Sequence, residues 1–223
     1  MKKFYILVFT LLFIGIVVSP ASSAKIDLYD WAFYIDGNMY ENFAGDSMPT
    51  LGTLDPASDL GTLTWNTNIA GPHTFIAFFD YEIDEAINTF FNEYGTVNGT
   101  PDTGQLSEID EPGYLFGDIY DNLLSGSLDN TNAVPSSMPD DVSMAMGWNF
   151  TLDPLYESAT VRLVLSDIIP SSGFYLSHTD PDSDDCTVYY SSSLKMNPIP
   201  EPGTFILLLF GLAGFFGIQK KAA

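Results

Sequence analysis

A regular alternation of apolar with small or polar residues runs over residues 142–150 and constrains the fold more than any other feature of the chain. Because successive side chains of a β-strand point to opposite faces of the sheet, a period of two predicts a strand with one face in a core. Residues 75–83 and 161–165 repeat the pattern. All three stretches are therefore predicted to be half-buried strands.

Weaker strand patterns occupy residues 26–35, 62–69, 173–178 and 186–194. Asp36-Gly37-Asn38 predicts a tight turn after the first of them. Seven or more short strands with turn-rich connections are typical of antiparallel sandwiches. The predicted fold is therefore mainly β, a single antiparallel, jelly-roll-like β-sandwich with a short helix.

The helix is predicted over residues 84–94, where apolar residues follow helical spacing, with Asp84 as N-cap and Gly95 as C-cap. A second short helix is expected near residues 114–124. Glycine, proline, serine, asparagine and aspartate dominate residues 98–113 and 124–141, which predicts two long surface loops.

The first 24 residues have the organisation of a secretory signal peptide. A positively charged start precedes a helical apolar run over residues 4–18, and Ser19-Pro20 breaks that run. The small residues that follow predict cleavage after Ala24, with Ala21 or Ser23 as alternative sites. An uncleaved N-terminal anchor is the alternative structure.

The end of the chain combines a proline-containing motif, an apolar segment and two lysines. Pro200, Glu201 and Pro202 precede residues 204–218, which carry no charge. As an α-helix that segment reaches about 22 Å, a marginal length against roughly 30 Å of hydrocarbon. We expect a transmembrane helix at about 204–219, with a buried helix of a soluble domain as the alternative. Because lysines at both ends of the chain favour the cytoplasmic side of the membrane, we expect the part between them on the opposite side, outside the cytoplasm.

This order of motif, apolar segment and basic tail resembles the PEP-CTERM sorting signal of bacterial exported proteins. The resemblance implies recognition by an exosortase, a membrane enzyme that cuts near the motif, in an organism that makes exopolysaccharide. The expected organisation is a signal peptide at 1–24, an exported domain at 25–197 and the sorting signal at 198–221. Signal peptidase is the other export partner, and transient anchoring precedes a cell-surface or extracellular location.

The exported part is also similar to a recurrent all-β ectodomain that many PEP-CTERM proteins carry. That ectodomain has no established activity, so the resemblance implies a fold and no mechanism. The similar segments are 79–84 (FDYEID), 88–95 (NTFFNEYG), 113–122 (GYLFGDIYDN), 144–148 (MAMGW) and 173–176 (GFYL).

Acidic residues dominate the exported part, where 28 acids and only Lys25, Arg162 and Lys195 as bases give a net charge of about −25. Such a charge excludes nucleic acid as a partner. Divalent cations are natural counterions, and a simply solvated acidic surface is the alternative. Cys186 is the only cysteine, so no intramolecular disulfide can form. We expect Cys186 to pack in the fold, with an intermolecular disulfide as the alternative.

The densest acidic motif runs from Asp180 to Asp185. Its carboxylates at every second position, those of Asp180, Asp182 and Asp184, resemble the opening of an EF-hand loop and suggest calcium. Asp185 stands where such a loop needs glycine, and Ser191 stands where it needs a bidentate acid. The alternative is a solvated hairpin turn, and no other cofactor is expected.

No catalytic motif is complete in the sequence. Gly45-Asp46-Ser47 resembles the nucleophile block of GDS-type esterases, but neither His73 nor His178 has aspartate three residues before it. Gly-x-Ser-x-Gly and paired zinc-ligand spacings are missing as well. We therefore expect that the protein is not an enzyme.

Two functions remain open at this point. In the first, the protein is a structural or adhesive component of an exopolysaccharide or biofilm matrix. In the second, it is a carbohydrate-binding module of the cell envelope, calcium-dependent in one version, in which Trp31, Trp65 or Trp148 stacks on a sugar ring.

Overall fold

The structure is a computed structural model and describes residues 25–85 and 88–199. The predicted signal peptide with Ala24, the sorting residues Pro200, Glu201 and Pro202, and the predicted transmembrane helix lie outside the described residues. Among the residues described, no helix is both long and apolar enough to cross a bilayer.

Eleven described strands form two antiparallel sheets. The first sheet has the order β2-β1-β5-β8-β7, and the second has the order β3-β4-β9-β11-β10-β6. The strands are β1 (Ile26–Ile35), β2 (Asn38–Glu41), β3 (Leu51–Leu54), β4 (Gly61–Thr67), β5 (Gly71–Ile83), β6 (Tyr94–Asn98), β7 (Gln105–Asp110), β8 (Ser143–Leu152), β9 (Tyr156–Ser166), β10 (Tyr175–Asp180) and β11 (Cys186–Pro198).

The inner faces of the two sheets pack against each other and form one apolar core. The alternating side chains of β5, β8 and β9 point into it, as their period of two predicts. Phe33 of β1 is fully buried at the centre, with ring centroids 6.0 Å from Phe75 and 5.8 Å from Phe79. These edge-to-face contacts add to the stabilisation from burial. The predicted mainly β, two-sheet fold is confirmed, although a jelly roll has eight strands and the described part of this chain has eleven.

Helix α1 (Ile119–Ser125) covers the outer face of the first sheet. Ile119 and Leu123 pack there against Ile76 and Phe78, which are the outward residues of β5. The central strand β5 is therefore buried on both faces. The helix begins later than the predicted residue 114, and Gly126 caps its C-terminus with a φ of +72°, the left-handed conformation that glycine favours.

The turn between β1 and β2 is confirmed at Asp36 and Gly37. Their φ values of +50° and +88° match a type I′ hairpin turn, which requires positive φ at both central residues.

The helix predicted over residues 84–94 is wrong in its described part. Asp84 has a φ of +55° and is not an N-cap, and only a 3₁₀ turn, Phe90–Asn92, follows it, capped by Thr89. Tyr94 and Gly95 belong to β6, where they pair with Thr179 and His178 of β10. Pairing at the edge of a sheet therefore overrides the local helical spacing.

The predicted loop over residues 98–113 is also wrong, since it contains β7. Its sequence Gln-Leu-Ser-Glu-Ile-Asp is too polar to predict a buried strand, yet β7 pairs with β8 along its whole length. Ile109 points into the core while Glu108 and Asp110 lie on the outer face near α1. Hydrogen bonds satisfy these polar groups where they are buried.

Candidate functional site

The carboxylates predicted to bind calcium lie in different environments. Asp180 is fully buried at the end of β10, where its oxygens accept hydrogen bonds from the side-chain amides of Asn88 and Asn92 and from the backbone N–H of Asp182. Asp182 and Asp184 are exposed in the turn before β11. Calcium at these three residues stays a prediction.

The three tryptophans are largely enclosed in the fold. Trp31 and Trp148 are buried, and the indole N–H of Trp148 donates to the Ser192 hydroxyl over 3.0 Å. Trp65 is partly buried and stacks on Phe75, with ring centroids 5.2 Å apart. Burial of Trp31 and Trp148 and the stacking of Trp65 on Phe75 leave these tryptophans poorly placed to stack on a sugar.

The two histidines have partners of their own. The ring nitrogens of His73 lie 2.7 Å from an Asp36 carboxylate oxygen and 2.7 Å from the Ile69 carbonyl oxygen. Nε2 of His178 lies 2.6 Å from a Glu93 oxygen. In the described part of the chain, neither imidazole is hydrogen-bonded to Ser47.

Sequence reasoning missed a surface on the outer face of the second sheet, which we call the tyrosine face. Three tyrosines and five hydroxyl or amide side chains form a grid over β6, β10 and β11 and line a pocket of about 430 Å³. The register aligns three residues of β6 with three of β10, and two of β11 with two of β10. The tyrosine face consists of Tyr94, Tyr175, Tyr189, Thr96, Asn98, Ser177, Thr179 and Thr187.

Hydrogen bonds between neighbouring strands order the polar part of the tyrosine face. The hydroxyl oxygens of Thr96 and Ser177 lie 2.5 Å apart, and those of Thr179 and Thr187 lie 2.9 Å apart. Above them the rings of Tyr175 and Tyr189 meet edge to face, with centroids 5.9 Å apart. All eight residues are uncharged, although the exported part carries a large negative charge.

The signal for this surface was present in the sequence as a second alternation. Tyr94-x-Thr96-x-Asn98 and Tyr175-x-Ser177-x-Thr179 place aromatic and hydroxyl residues at every second position, opposite the core-facing residues. That pattern identifies one outward strand face at a time. Only the pairing of β6, β10 and β11 brings the faces together.

A second group, which we call the buried carboxylate cluster, consists of Asp80, Glu82, Glu93 and Asp141. Asp80 is 1% exposed and Glu93 is 0% exposed, while Glu82 and Asp141 are half-buried. Each residue has one buried carboxylate oxygen without a hydrogen-bond partner: Asp80 Oδ1, Glu82 Oε2, Glu93 Oε1 and Asp141 Oδ1. Such atoms are rare in native proteins because each one costs free energy.

Backbone pairing brings the cluster to one end of the sandwich. Asp80 lies opposite Ser143 in the β5–β8 ladder, and continuation of that register places Asp141 beside Glu82. Glu93 approaches from the other side, because its backbone forms a bridge with that of Asp140. The four carboxylates therefore come from three separate parts of the chain.

Few protein groups compensate the charges of this cluster. The Tyr114 hydroxyl lies 3.3 Å from Asp80 Oδ2 and 3.1 Å from Asp30 Oδ2, and its single proton is shared between these two acceptors. The second Glu93 oxygen faces the fully buried His178. Burial lowers the pKa of His178 to about 4, so its ring is neutral near pH 7 and supplies no positive charge.

Burial shifts the carboxyl groups of the cluster strongly towards their neutral forms. It raises the pKa of Glu93 to about 10, with Asp141 as the largest charged contribution. Burial and the nearby Glu85 raise the pKa of Glu82 to about 8. Burial also raises the pKa of Asp141 to about 6 and that of Asp80 well above its usual value.

A pocket of about 270 Å³ opens beside the cluster, and Asp141 is the member of the cluster that lines it. Asp141 and Glu111 contribute its acidic groups, and Phe90, Phe91 and Phe116 are among its apolar walls. Asp141 is thus the member of the cluster that solvent reaches through this pocket.

A third acidic group lies beside α1. One carboxylate oxygen from each of Glu108, Asp118 and Asp129 lies within 4.8 Å of the others. Asn122 donates to Glu108 and Asp118, and the backbone N–H of Asp129 donates to Glu108. These donors already satisfy both oxygens of Glu108, the buried member of the trio.

The described geometry defines an acidic, two-sheet domain of an all-β protein with an uncharged aromatic surface. A family model described as the PEP-CTERM protein-sorting motif matches residues 198–221. The chain therefore carries the sorting signal of an exported protein that an exosortase processes. Searches of curated proteins and of solved structures gave no match.

Proposed function

We propose that the protein is an adhesive component of an exopolysaccharide matrix and that the tyrosine face binds the polysaccharide. The supporting observation is the grid of three tyrosines and five hydroxyl or amide side chains on one uncharged surface. The sorting motif places such a domain in the export pathway, after which it acts at the cell surface or in the extracellular space.

The chemistry of the tyrosine face suits a sugar polymer. Aromatic rings offer apolar faces to the C–H groups of a sugar, and serine and threonine hydroxyls both donate and accept hydrogen bonds. The pocket of about 430 Å³ is lined by residues of three neighbouring strands, which suits a ligand longer than one sugar. Asp185 is the charged residue among those that line it, and a neutral polymer is not repelled by the net negative charge of the domain.

A purely structural role, without sugar binding, is the second candidate. It is favoured by the tryptophans, since Trp31 and Trp148 are buried and Trp65 stacks on Phe75. The two candidates differ in one measurable respect, because only an adhesive role requires the tyrosine face.

Affinity electrophoresis of the full-length chain in detergent, through gels that contain different polysaccharides, tests the adhesive role. We expect retardation by at least one polysaccharide and its loss in Tyr175→Ala and Tyr189→Ala. Truncation of an aromatic anchor costs about 1 to 2 kcal/mol, or roughly 5- to 30-fold in Kd.

The matched control is Tyr156→Ala, which removes an exposed tyrosine from β9, outside the tyrosine face. It should bind like the wild type. Retardation that survives both tyrosine-face substitutions would refute the assigned surface, and a lack of retardation by any polysaccharide would favour the structural role.

The sorting step is tested separately, by intact mass and C-terminal peptide mapping of protein from the envelope of an exosortase-containing cell. We expect a C-terminus near Pro200 and Pro202 and an N-terminus at Lys25. If residues 205–223 remain attached, the chain is a permanent tail-anchored protein and the processing step is refuted.

A further inference from the structure

The buried carboxylate cluster lacks a positively charged partner within the described chain. The bases of residues 25–85 and 88–199 are Lys25, Arg162 and Lys195, and all three are exposed. Lys25 pairs with Asp27, and Arg162 donates to Thr62 on the second sheet. Isolated buried carboxylates are costly unless protons or a bound cation neutralise them.

The unpartnered oxygens indicate which of these solutions the fold provides. A cluster adapted to hold only protons would pair its carboxyl groups with acceptors, whereas here each of four carboxylates keeps one oxygen free. Two of those side chains, Asp80 and Glu93, are almost completely inaccessible to water. The amide oxygen of the neighbouring Asn92 is also buried and unpartnered.

We propose that Asp80, Glu82, Glu93 and Asp141 bind a divalent cation of the calcium class at the end of the sandwich. This site differs from the exposed turn at Asp182 and Asp184. It does not depend on polysaccharide binding, and it would stabilise the domain once the protein reaches the calcium-containing exterior.

The donor set selects a hard cation. Carboxylate and amide oxygens are the ligands that calcium prefers, and calcium accepts irregular geometry with six to eight oxygens. No three of the four carboxylates bring their ligand atoms within 4.8 Å of one another, so binding draws the side chains together or includes water. Magnesium demands near-ideal octahedral geometry and is less suited to such a site.

The cation has a route to the site. The pocket of about 270 Å³ opens at Asp141, and Glu111 on its wall adds a second carboxylate at the entrance. Continuation of the β5–β8 register places Asp141 beside Glu82, and the bridge between Glu93 and Asp140 brings Glu93 close to it. Asp141 is therefore the ligand at which the proposed site opens to solvent.

Thermal unfolding of the full-length chain in detergent, first freed of metal with EGTA, tests the proposal. Circular dichroism at increasing CaCl₂ should show a saturable rise in Tm, with half-saturation at about 0.1 to 1 mM, the range of extracellular calcium modules. At ten times Kd the rise is expected to be about 3 to 6 °C.

Asp80→Asn and Asp141→Asn should abolish this calcium response. Both variants are expected to fold, because an amide removes a buried charge that has no base beside it, and their Tm in EGTA should equal or exceed that of the wild type. The matched control is the double substitution Asp182→Asn with Asp184→Asn, which should keep the response.

Four outcomes would overturn the proposal. They are a wild-type Tm that does not change with CaCl₂, a response lost only in the turn variant, an equal response in every variant, and a response to ZnCl₂ but not to CaCl₂. An equal response in every variant would identify diffuse screening of the acidic surface, which NaCl of the same ionic strength should reproduce.

Discussion

The ion pair between His73 and Asp36 predicts a pH-dependent contribution to stability. Both ring nitrogens of His73 face acceptors, so only the doubly protonated imidazolium donates to both. Burial lowers the pKa of His73, but the hydrogen bonds with the Ile69 carbonyl and the Asp36 carboxylate outweigh burial, and the net pKa is raised above 6.5. The pair ties the β1–β2 turn to the start of β5, since Asp36 also accepts from the Thr74 N–H.

The size of this contribution follows from the geometry. A hydrogen bond to a charged group contributes about 1.5 to 3 kcal/mol, and the partly exposed Asp36 carboxylate, with 36% of its side chain accessible, places the value near the lower end. Because the folded-state pKa is raised, this stabilisation is complete below pH 6.5 and is lost as pH rises through the folded-state pKa. We expect His73→Gln to cost about 1 to 2 kcal/mol at pH 5.5 and markedly less at pH 8.5.

Urea unfolding gives the free energy of unfolding of wild type and of His73→Gln at both pH values. The difference between the two proteins at each pH is the cost of the substitution, and the pH effects of all other groups cancel in it. Asp36→Asn is the partner variant, because asparagine tolerates the positive φ of this turn. A double-mutant cycle should show coupling at pH 5.5 that weakens at pH 8.5. A cost of His73→Gln that is constant, or that grows with pH, would refute the assignment of a charged His73.

Three further predictions concern packing and reactivity. Gly147→Ala should lower the free energy of unfolding by about 1 to 3 kcal/mol in a denaturant titration. The reason is that a Cβ at this position would lie 2.7 Å from Ile76 Cγ1 in the closely packed β5–β8 ladder. An unchanged denaturation midpoint would contradict this packing. Ser192→Ala should lower the free energy of unfolding by about 1 kcal/mol in the same assay, because it leaves the buried Trp148 N–H without its acceptor. An unchanged free energy of unfolding would show that water replaces the hydroxyl. Burial raises the pKa of the Cys186 thiol, so alkylation by iodoacetamide at pH 8 should be slower in the folded chain than in urea, and equal rates would refute a packed cysteine.

Particular strands show where local sequence was sufficient for prediction. The alternation in β5, β8 and β9 identified their inward faces because each face packs on the core and must be apolar along its length. β7 was missed because its outward face lies near α1 and holds Glu108 and Asp110 with hydrogen-bond partners. Those partners lie 8 and 14 positions further along the chain, beyond the reach of a strand's period of two, so the alternation leaves no signal of them.

The candidate sites show the same limit. The motif from Asp180 to Asp185 suggested calcium because its carboxylates are adjacent in sequence, yet the fold buries Asp180 with amide donors and leaves its neighbours exposed. The buried carboxylate cluster draws on residues up to 61 positions apart, from Asp80 to Asp141, and no spacing rule predicts it. The tryptophans suggested sugar stacking by residue type alone, and burial assigns them to packing.

The sequence by itself determined the C-terminal sorting signal, the mainly β fold, the faces of the strongest strands and the acidic character of the domain. These properties depend on composition or on side chains a few positions apart, so they can be read along the chain. Only the tertiary structure decided that Tyr94, Tyr175 and Tyr189 share one surface and that four carboxylates with unpartnered oxygens lie at one end of the sandwich. The physical reason is that strand pairing is non-local: the register between strands sets which polar groups meet and whether water, a proton or a cation must satisfy them.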